Sequence, residues 1–250
     1  MSKIGIIGAM ELEIETLKEK MNITNTVNKA NMSFFEGSLN GTDIVLVKCG
    51  IGKVNAGICA QILADNFDVT HIINTGVAGS LDARLDIGDI VVSTAATYHD
   101  MDVTVFGYRL GEVPQLGTPE FVADETLIEL AKTSCETVNP TIKVFKGRVV
   151  SGDQFICSEA AKDAIVNNFD ALCTEMEGAA IAHGAFLNKI PFVVIRAISD
   201  KADNSAEMDY PTFEREAAIH CAKLIENMLP NIAYSFSAFS YHNLTYLFYG

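Results

Sequence analysis

Apolar and β-branched residues recur along the chain in short runs, each bounded by glycine, proline or polar residues. Lys3 to Ile7, His71 to Thr75, Asp89 to Ser93, Lys143 to Ser151 and Pro191 to Asp200 have this form. Runs without alternation are strands covered on both faces, as in a sheet flanked by helices. Between them the spacing turns helical. Met10, Ile14, Leu17 and Met21 make one stripe, and Val54 to Phe67, Phe121 to Thr137, a segment opening at Ser158, Ala179 to Leu187 and Phe213 to Met228 read as further helices. Phe34 to Leu39 and Asp43 to Lys48 alternate on either side of Asn40-Gly41, a two-residue hairpin turn. Strands interleaved with helices predict an α/β fold in one domain, residues 1–229. Pro230 is expected to stop the last helix, leaving 230–250 as a separate tail.

In open α/β sheets, ligands gather beyond the carboxyl ends of the strands. Arg196 lies inside the last run and Ser199-Asp200 at its exit. A carboxylate placed there is partly desolvated, which raises its pKa toward the range where it carries a proton. Glu13 follows the first strand on the next helix and is placed to face the same crevice. Gly76-Val77-Ala78-Gly79-Ser80 directly follows a strand, and such small residues let backbone approach a substrate closely. Gly50-Ile51-Gly52-Lys53 reads as a tight turn. Phe155 and Ile156 follow a strand exit, where an aromatic stacks on a flat ligand or fills the core. Glu175 and Glu177 flank Met176 at a strand-to-helix junction, and carboxylate oxygens there suit a vicinal diol.

Each of these features also has a plain structural reading. Acidic residues in a first helical turn gain a few tenths to about 1 kcal/mol from the macrodipole, and a strand-end Asp often only caps the next helix. Two cofactor motifs are incomplete: Gly5-Ile6-Ile7-Gly8 lacks the later glycines of a dinucleotide fingerprint, and Gly50 to Lys53 is too short for a phosphate loop.

Composition narrows the partners. Of 250 residues, 49% are hydrophobic, enough for a sizeable core, and the formal net charge of -14 argues against nucleic acid or an anionic membrane. A small molecule is the expected ligand. The six cysteines are scattered, with no metal-ligand spacing, and read as reduced core thiols. The apolar run before Glu11 is too short for a signal peptide, so the cytoplasm is the expected compartment. Tyr98 to Pro114, with Val103, Phe106 and Tyr108, reads as an apolar loop suited to a partner surface or a lid. Residues 231–250 hold seven aromatics and no Asp, Glu, Lys or Arg, but Ser, Asn and His interrupt them too often for a membrane span.

Taken in order, Ile4-Gly5-Ile6-Ile7-Gly8-Ala9-Met10-Glu11, Gly50-Ile51-Gly52-Lys53-Val54-Asn55, Asn74-Thr75-Gly76, Tyr98-His99-Asp100, Ser151-Gly152-Asp153, Glu175-Met176-Glu177 and Arg196-Ala197-Ile198-Ser199-Asp200 resemble the bacterial 5′-methylthioadenosine/S-adenosylhomocysteine nucleosidases. The likeness runs from Lys3 to about Leu229. It implies a three-layer nucleoside-phosphorylase-type fold with a central mixed twisted sheet between helices, a homodimer, no cofactor, no metal, and hydrolysis of the N-glycosidic bond of adenine thionucleosides. By position it implies that Asp200 is the general acid at adenine N7, with Ser199 beside it, and that Glu13 orients and deprotonates the attacking water. Arg196 and Glu177 would help hold water and ribose, and Met176 with Glu175 and Glu177 the ribose side. Ala9, Ile51, Val77, Ala78, Gly79, Phe155, Ile156 and Tyr210 would line the nucleoside, and Val103, Phe106 and Pro114 would close the neighbouring subunit's alkylthio pocket. Val77 stands where the family often has Ser, and the tail has no counterpart.

Three other readings differ in testable ways. A purine nucleoside phosphorylase attacks with phosphate and needs cationic clamps near the first strand exits, where this chain has Glu13 and no arginine before Arg84. A non-catalytic nucleoside-binding protein needs the pocket but neither acid nor base. A dehydrogenase needs the glycine fingerprint that is missing.

Overall fold

Burial on both faces makes the unbroken runs the middle strands of one mixed sheet, ten-stranded among the described residues. The structure, a computed structural model, describes residues 2–245, with side chains described to residue 232 apart from residue 208. β1 (Lys3–Gly8) lies parallel between β4 (Thr42–Lys48) and β5 (His71–Ser80), and β5 runs parallel to β10 (Phe192–Asp200). Pairing continues from β10 to β6 (Ile90–Tyr98), β8 (Val144–Ser151) and β9 (Ala171–Glu175), then back to β5. Five strands thus close on themselves. From this ring β1 and β4 lead out to β3 (Met32–Leu39) and β2 (Asn22–Lys29).

α1 (Glu11–Lys20) and α3 (Glu125–Val138) pack against α6 (Ala206–Thr245), while α2 (Lys53–Phe67) packs against α5 (Gly178–Asn188). α4 (Glu159–Asn168) starts at Ser158, whose hydroxyl accepts the Ala161 N–H. The α/β class and the sheet between helices are as the sequence predicts. No helix among the described residues is long and apolar enough to cross a membrane.

Three local expectations are corrected, and one strand is not foreseen. Gly76 to Ser80 does not follow the strand but is the second half of β5, because β10 pairs with it in register at Arg196↔Gly76, Ala197↔Val77 and Ile198↔Ala78. Small residues continue a strand when both of its edges are held. Phe121 and Val122 are not helical: they form a short β7 (Phe121–Val122) on β6, and the helix starts only after Asp124 accepts the Leu127 N–H at 3.0 Å. β2 escapes the hydrophobic pattern altogether, since its side chains are almost all exposed and hydrogen bonding to β3 alone defines it.

Pro230 does not stop the last helix: α6 begins at Ala206, runs through Pro211 and Pro230 and continues to Thr245. An interior proline removes one N–H and costs roughly 3 kcal/mol. Here the Glu226 carbonyl, which Pro230 cannot satisfy, accepts the Asn40 side-chain amide at 3.0 Å. Asn40 sits in the β3–β4 hairpin turn, so a distant loop repairs the ladder. The boundary expected between 229 and 230 therefore falls inside a helix, and the last residues of the aromatic tail, 246–250, lie outside the described residues.

Candidate active site

The parallel strands deliver their carboxyl ends to one cleft of about 350 Å³. Every residue of this chain that the resemblance places around the nucleoside lines it, with one exception. Arg196 is 1% exposed and stands outside the wall. Its Nη2 donates to Asn74 Oδ1 at 2.5 Å and to Glu175 Oε2, and its Nη1 to the Ile195 carbonyl. A guanidinium in the middle of a buried strand must be paired, and here Nη2 is taken by Asn74 and Glu175 while Nε is left without a hydrogen-bond partner. Met10, Gln154 and Thr174 also line the cleft, and the sequence reading gave them no role at the site. Their positions were open to inference, since each lies one or two residues from a predicted wall residue.

Glu13 is held from both sides. Its Oε2 accepts the Ala9 and Met10 N–H groups at 2.6 and 2.9 Å, and its Oε1 accepts the Val77 N–H at 3.1 Å. Val77 thus serves Glu13 through its backbone, whatever its side chain. Gly76 matters for the same reason: a Cβ there would lie 2.9 Å from Glu13 Cδ. Burial raises the Glu13 carboxyl above its ordinary value, while Arg196 and the three N–H groups pull it down.

Asp200 ends β10 and also lines the cleft. Its Oδ2 accepts the Ser199 hydroxyl at 2.9 Å and its Oδ1 the Ala202 N–H at 2.8 Å. Burial raises its pKa against these two donors, with the charges of Asp209 and Asp203 adding to the rise. That is the environment of a carboxyl that carries a proton into a reaction. Phe155 and Tyr210 meet edge to face at 5.6 Å above the cleft, and the Tyr210 hydroxyl donates to Met10 Sδ at 3.2 Å.

The two glutamates around Met176 divide. Glu175 Oε1 accepts the Ser151 hydroxyl, and its Oε2 takes the Gly178 N–H at 2.7 Å, the Glu177 N–H and the Arg196 ion pair. Both of its oxygens are used by the protein. Among the described residues, Glu177 accepts a hydrogen bond only from the Gly52 N–H, on Oε1 at 2.8 Å, which leaves its other oxygen for a ligand.

Burial, and then the Glu175 charge, raise the Glu177 carboxyl from 4.5 to about 8, against Arg196 and the Gly52 N–H. A group raised in the folded state contributes stability fully below its unfolded value and loses it as pH climbs through the raised one. The melting temperature of the ligand-free protein is therefore expected to fall between pH 4.5 and about 8, and Glu177→Gln to flatten that fall. An unchanged slope in the variant would remove Glu177 as its source.

The cleft at the strand ends of this mixed α/β sheet is acidic in its walls and has no lysine or arginine in its lining. The family model described as the phosphorylase superfamily matches residues 3–230. Within it, the chain belongs to the family of 5′-methylthioadenosine/S-adenosylhomocysteine nucleosidases. It is 42% identical over 230 residues to the nucleosidase of that name from Staphylococcus carnosus, covering 92% of this chain and all of the relative. The crystal structure of the Neisseria meningitidis nucleosidase in complex with methylthio-immucillin-A superposes with a TM-score of 0.88 at 41% identity, covering 91% of this chain and 98% of that one. The Colwellia psychrerythraea nucleosidase, in complex with adenine, gives the same TM-score and identity over 92% and 95% of the two chains.

Proposed function

We propose that this protein hydrolyses the N-glycosidic bond of 5′-methylthioadenosine and S-adenosylhomocysteine, and of 5′-deoxyadenosine, releasing adenine and the 5-substituted ribose. The observation that carries this reading is the presence of two differently held acidic groups in the lining of one cleft: Asp200, raised toward protonation, and Glu13, pinned by three backbone donors. Asp200 gives its proton to purine N7 as the C1′–N9 bond breaks and its electron pair passes to the base. Positive charge then builds on the ribose, where the Glu13 carboxylate stabilises it, while Glu177 takes the ribose hydroxyls. Glu13 takes a proton from the water that adds to C1′. Phe155 and Ile156 pack the base, and Tyr210 and Met176 the ribose.

The lining also argues against phosphate as nucleophile. Phosphate binding needs cationic donors, and the one buried guanidinium nearby, Arg196, is committed to Glu175 and Asn74. The test is adenine release from each nucleoside with and without phosphate: equal rates support hydrolysis, and strict dependence on phosphate with a ribose-1-phosphate product would overturn it. Binding without turnover would mark a non-catalytic nucleoside receptor.

A homodimer belongs to the same proposal. Phe106 and Val105 are 78% and 84% exposed on the loop after β6, and Val54 and Leu187 stand 72% and 58% exposed on the packed pair α2 and α5. Val103, Phe106 and Pro114 do not line the cleft of their own chain, so their assignment to a neighbour's pocket rests on the partner subunit.

A further inference from the structure

Three motifs that supply no acid or base to the reaction meet beside the cleft: Gly50-Ile51-Gly52-Lys53, Tyr98-His99-Asp100 and Ser151-Gly152-Asp153. Lys53 Nζ reaches both carboxylate oxygens of Asp100 at 2.6 Å and lies 3.7 Å from Asp153 Oδ2. The backbone completes the circuit. The Lys53 N–H donates to Asp153 Oδ1 at 2.8 Å, and the Asp153 N–H to Asp100 Oδ2 at 3.0 Å. Gly52, one residue before Lys53, gives its N–H to Glu177 Oε1 at 2.8 Å from a backbone φ of +97°, and a Cβ there would come within 3.1 Å of Asp153 Oδ1. Gln154, Phe155 and Ile156, directly after Asp153, line the cleft, and so does Ile51 on the Gly52 turn.

None of Lys53, Asp100 and Asp153 lines the cleft itself. The Lys53 and Asp100 side chains are 24% and 18% exposed. Water still screens such a pair, whose stabilisation is about 1 kcal/mol or less, so stability alone does not account for a circuit of this many bonds. What the circuit does is fix two loops to each other. One carries the backbone donor of Glu177 and the other the aromatic wall.

We infer that Lys53, Asp100 and Asp153 form a clasp that sets Glu177 and the Phe155 wall at the spacing a nucleoside requires, which makes Lys53 and Asp100 positioning residues for binding. The inference rests on the nucleosidase reading above. Because the clasp touches no reacting atom, its loss falls on KM rather than on kcat.

The test compares Asp100→Asn, Lys53→Met, the double variant and Lys53→Arg with the wild type, by steady-state methylthioadenosine hydrolysis and by thermal unfolding. Each single variant is expected to raise KM about tenfold with kcat within about twofold, the double variant no more than the worse single one, and Lys53→Arg to recover most of the loss. KM changes below about twofold, or effects that multiply in the double variant, would overturn it. So would a lowered melting temperature with KM unchanged, which marks a purely structural pair. Should the wild type release no adenine, the nucleosidase reading fails by itself. The clasp is then judged on the same variants by the calorimetric Kd for methylthioadenosine, with the same fold-changes deciding.

Discussion

Asp200→Asn is expected to lower kcat for adenine release by about 10²–10⁴-fold, a barrier rise of roughly 3–5 kcal/mol, while nucleoside binding persists. The side chains are nearly isosteric, and the asparagine oxygen still accepts the Ala202 N–H that Asp200 Oδ1 takes at 2.8 Å. The strand end therefore keeps its shape. What is lost is a transferable proton: an amide donates a hydrogen bond to N7 but cannot give the hydrogen away. Burial is what loads the acid, since it raises the Asp200 carboxyl against the two donors that favour its charged form. The wild-type kcat should accordingly decline on the alkaline side at a pH above the ordinary aspartate value of 3.8, and that limb should vanish in the variant. Turnover within about tenfold of wild type would take Asp200 out of this role.

Glu13→Gln carries the second largest effect and adds a structural penalty. Glu13 accepts backbone N–H groups on both oxygens, from Ala9 and Met10 on one and from Val77 on the other. Glutamine has a single acceptor oxygen, so its NH2 must face at least one of those donors. A buried N–H left without a partner costs about 1–3 kcal/mol, and the melting temperature should drop accordingly. The chemical loss comes on top. Without the carboxylate, water has no base at C1′ and the developing ribose cation loses a counter-charge, for a further fall in kcat of about 10²–10⁴-fold. Stopped-assay adenine release and a thermal melt separate the two parts. A destabilised variant that still turns over at the wild-type rate would reduce Glu13 to a structural carboxylate.

Neither argument needs the proposed partner subunit. Ile51 and Phe155 in the lining are 54% and 48% exposed.

By itself the sequence determined the fold class, the hairpin at Asn40-Gly41, the helix read from Val54 to Phe67 and most of the residues around the cleft. The reason is local. Apolar periodicity and turn residues report the next few neighbours, and strand exits in an α/β sheet collect at one edge wherever the strands come from. Tertiary structure alone decided the features that depend on a distant partner. Gly76 to Ser80 became strand because β10 lies alongside it, α6 passed through Pro230 because Asn40 takes the Glu226 carbonyl, and Arg196 withdrew from the wall because Glu175 and Asn74 hold it. Glu175 and Glu177 look alike in the chain, two residues apart, and only the surrounding donors separate a carboxylate saturated by the protein from one with an oxygen left for a ligand. Hydrogen-bond supply is a property of three-dimensional neighbours, and in a buried site it sets which acid binds, which one gives a proton and which one only holds the others in place.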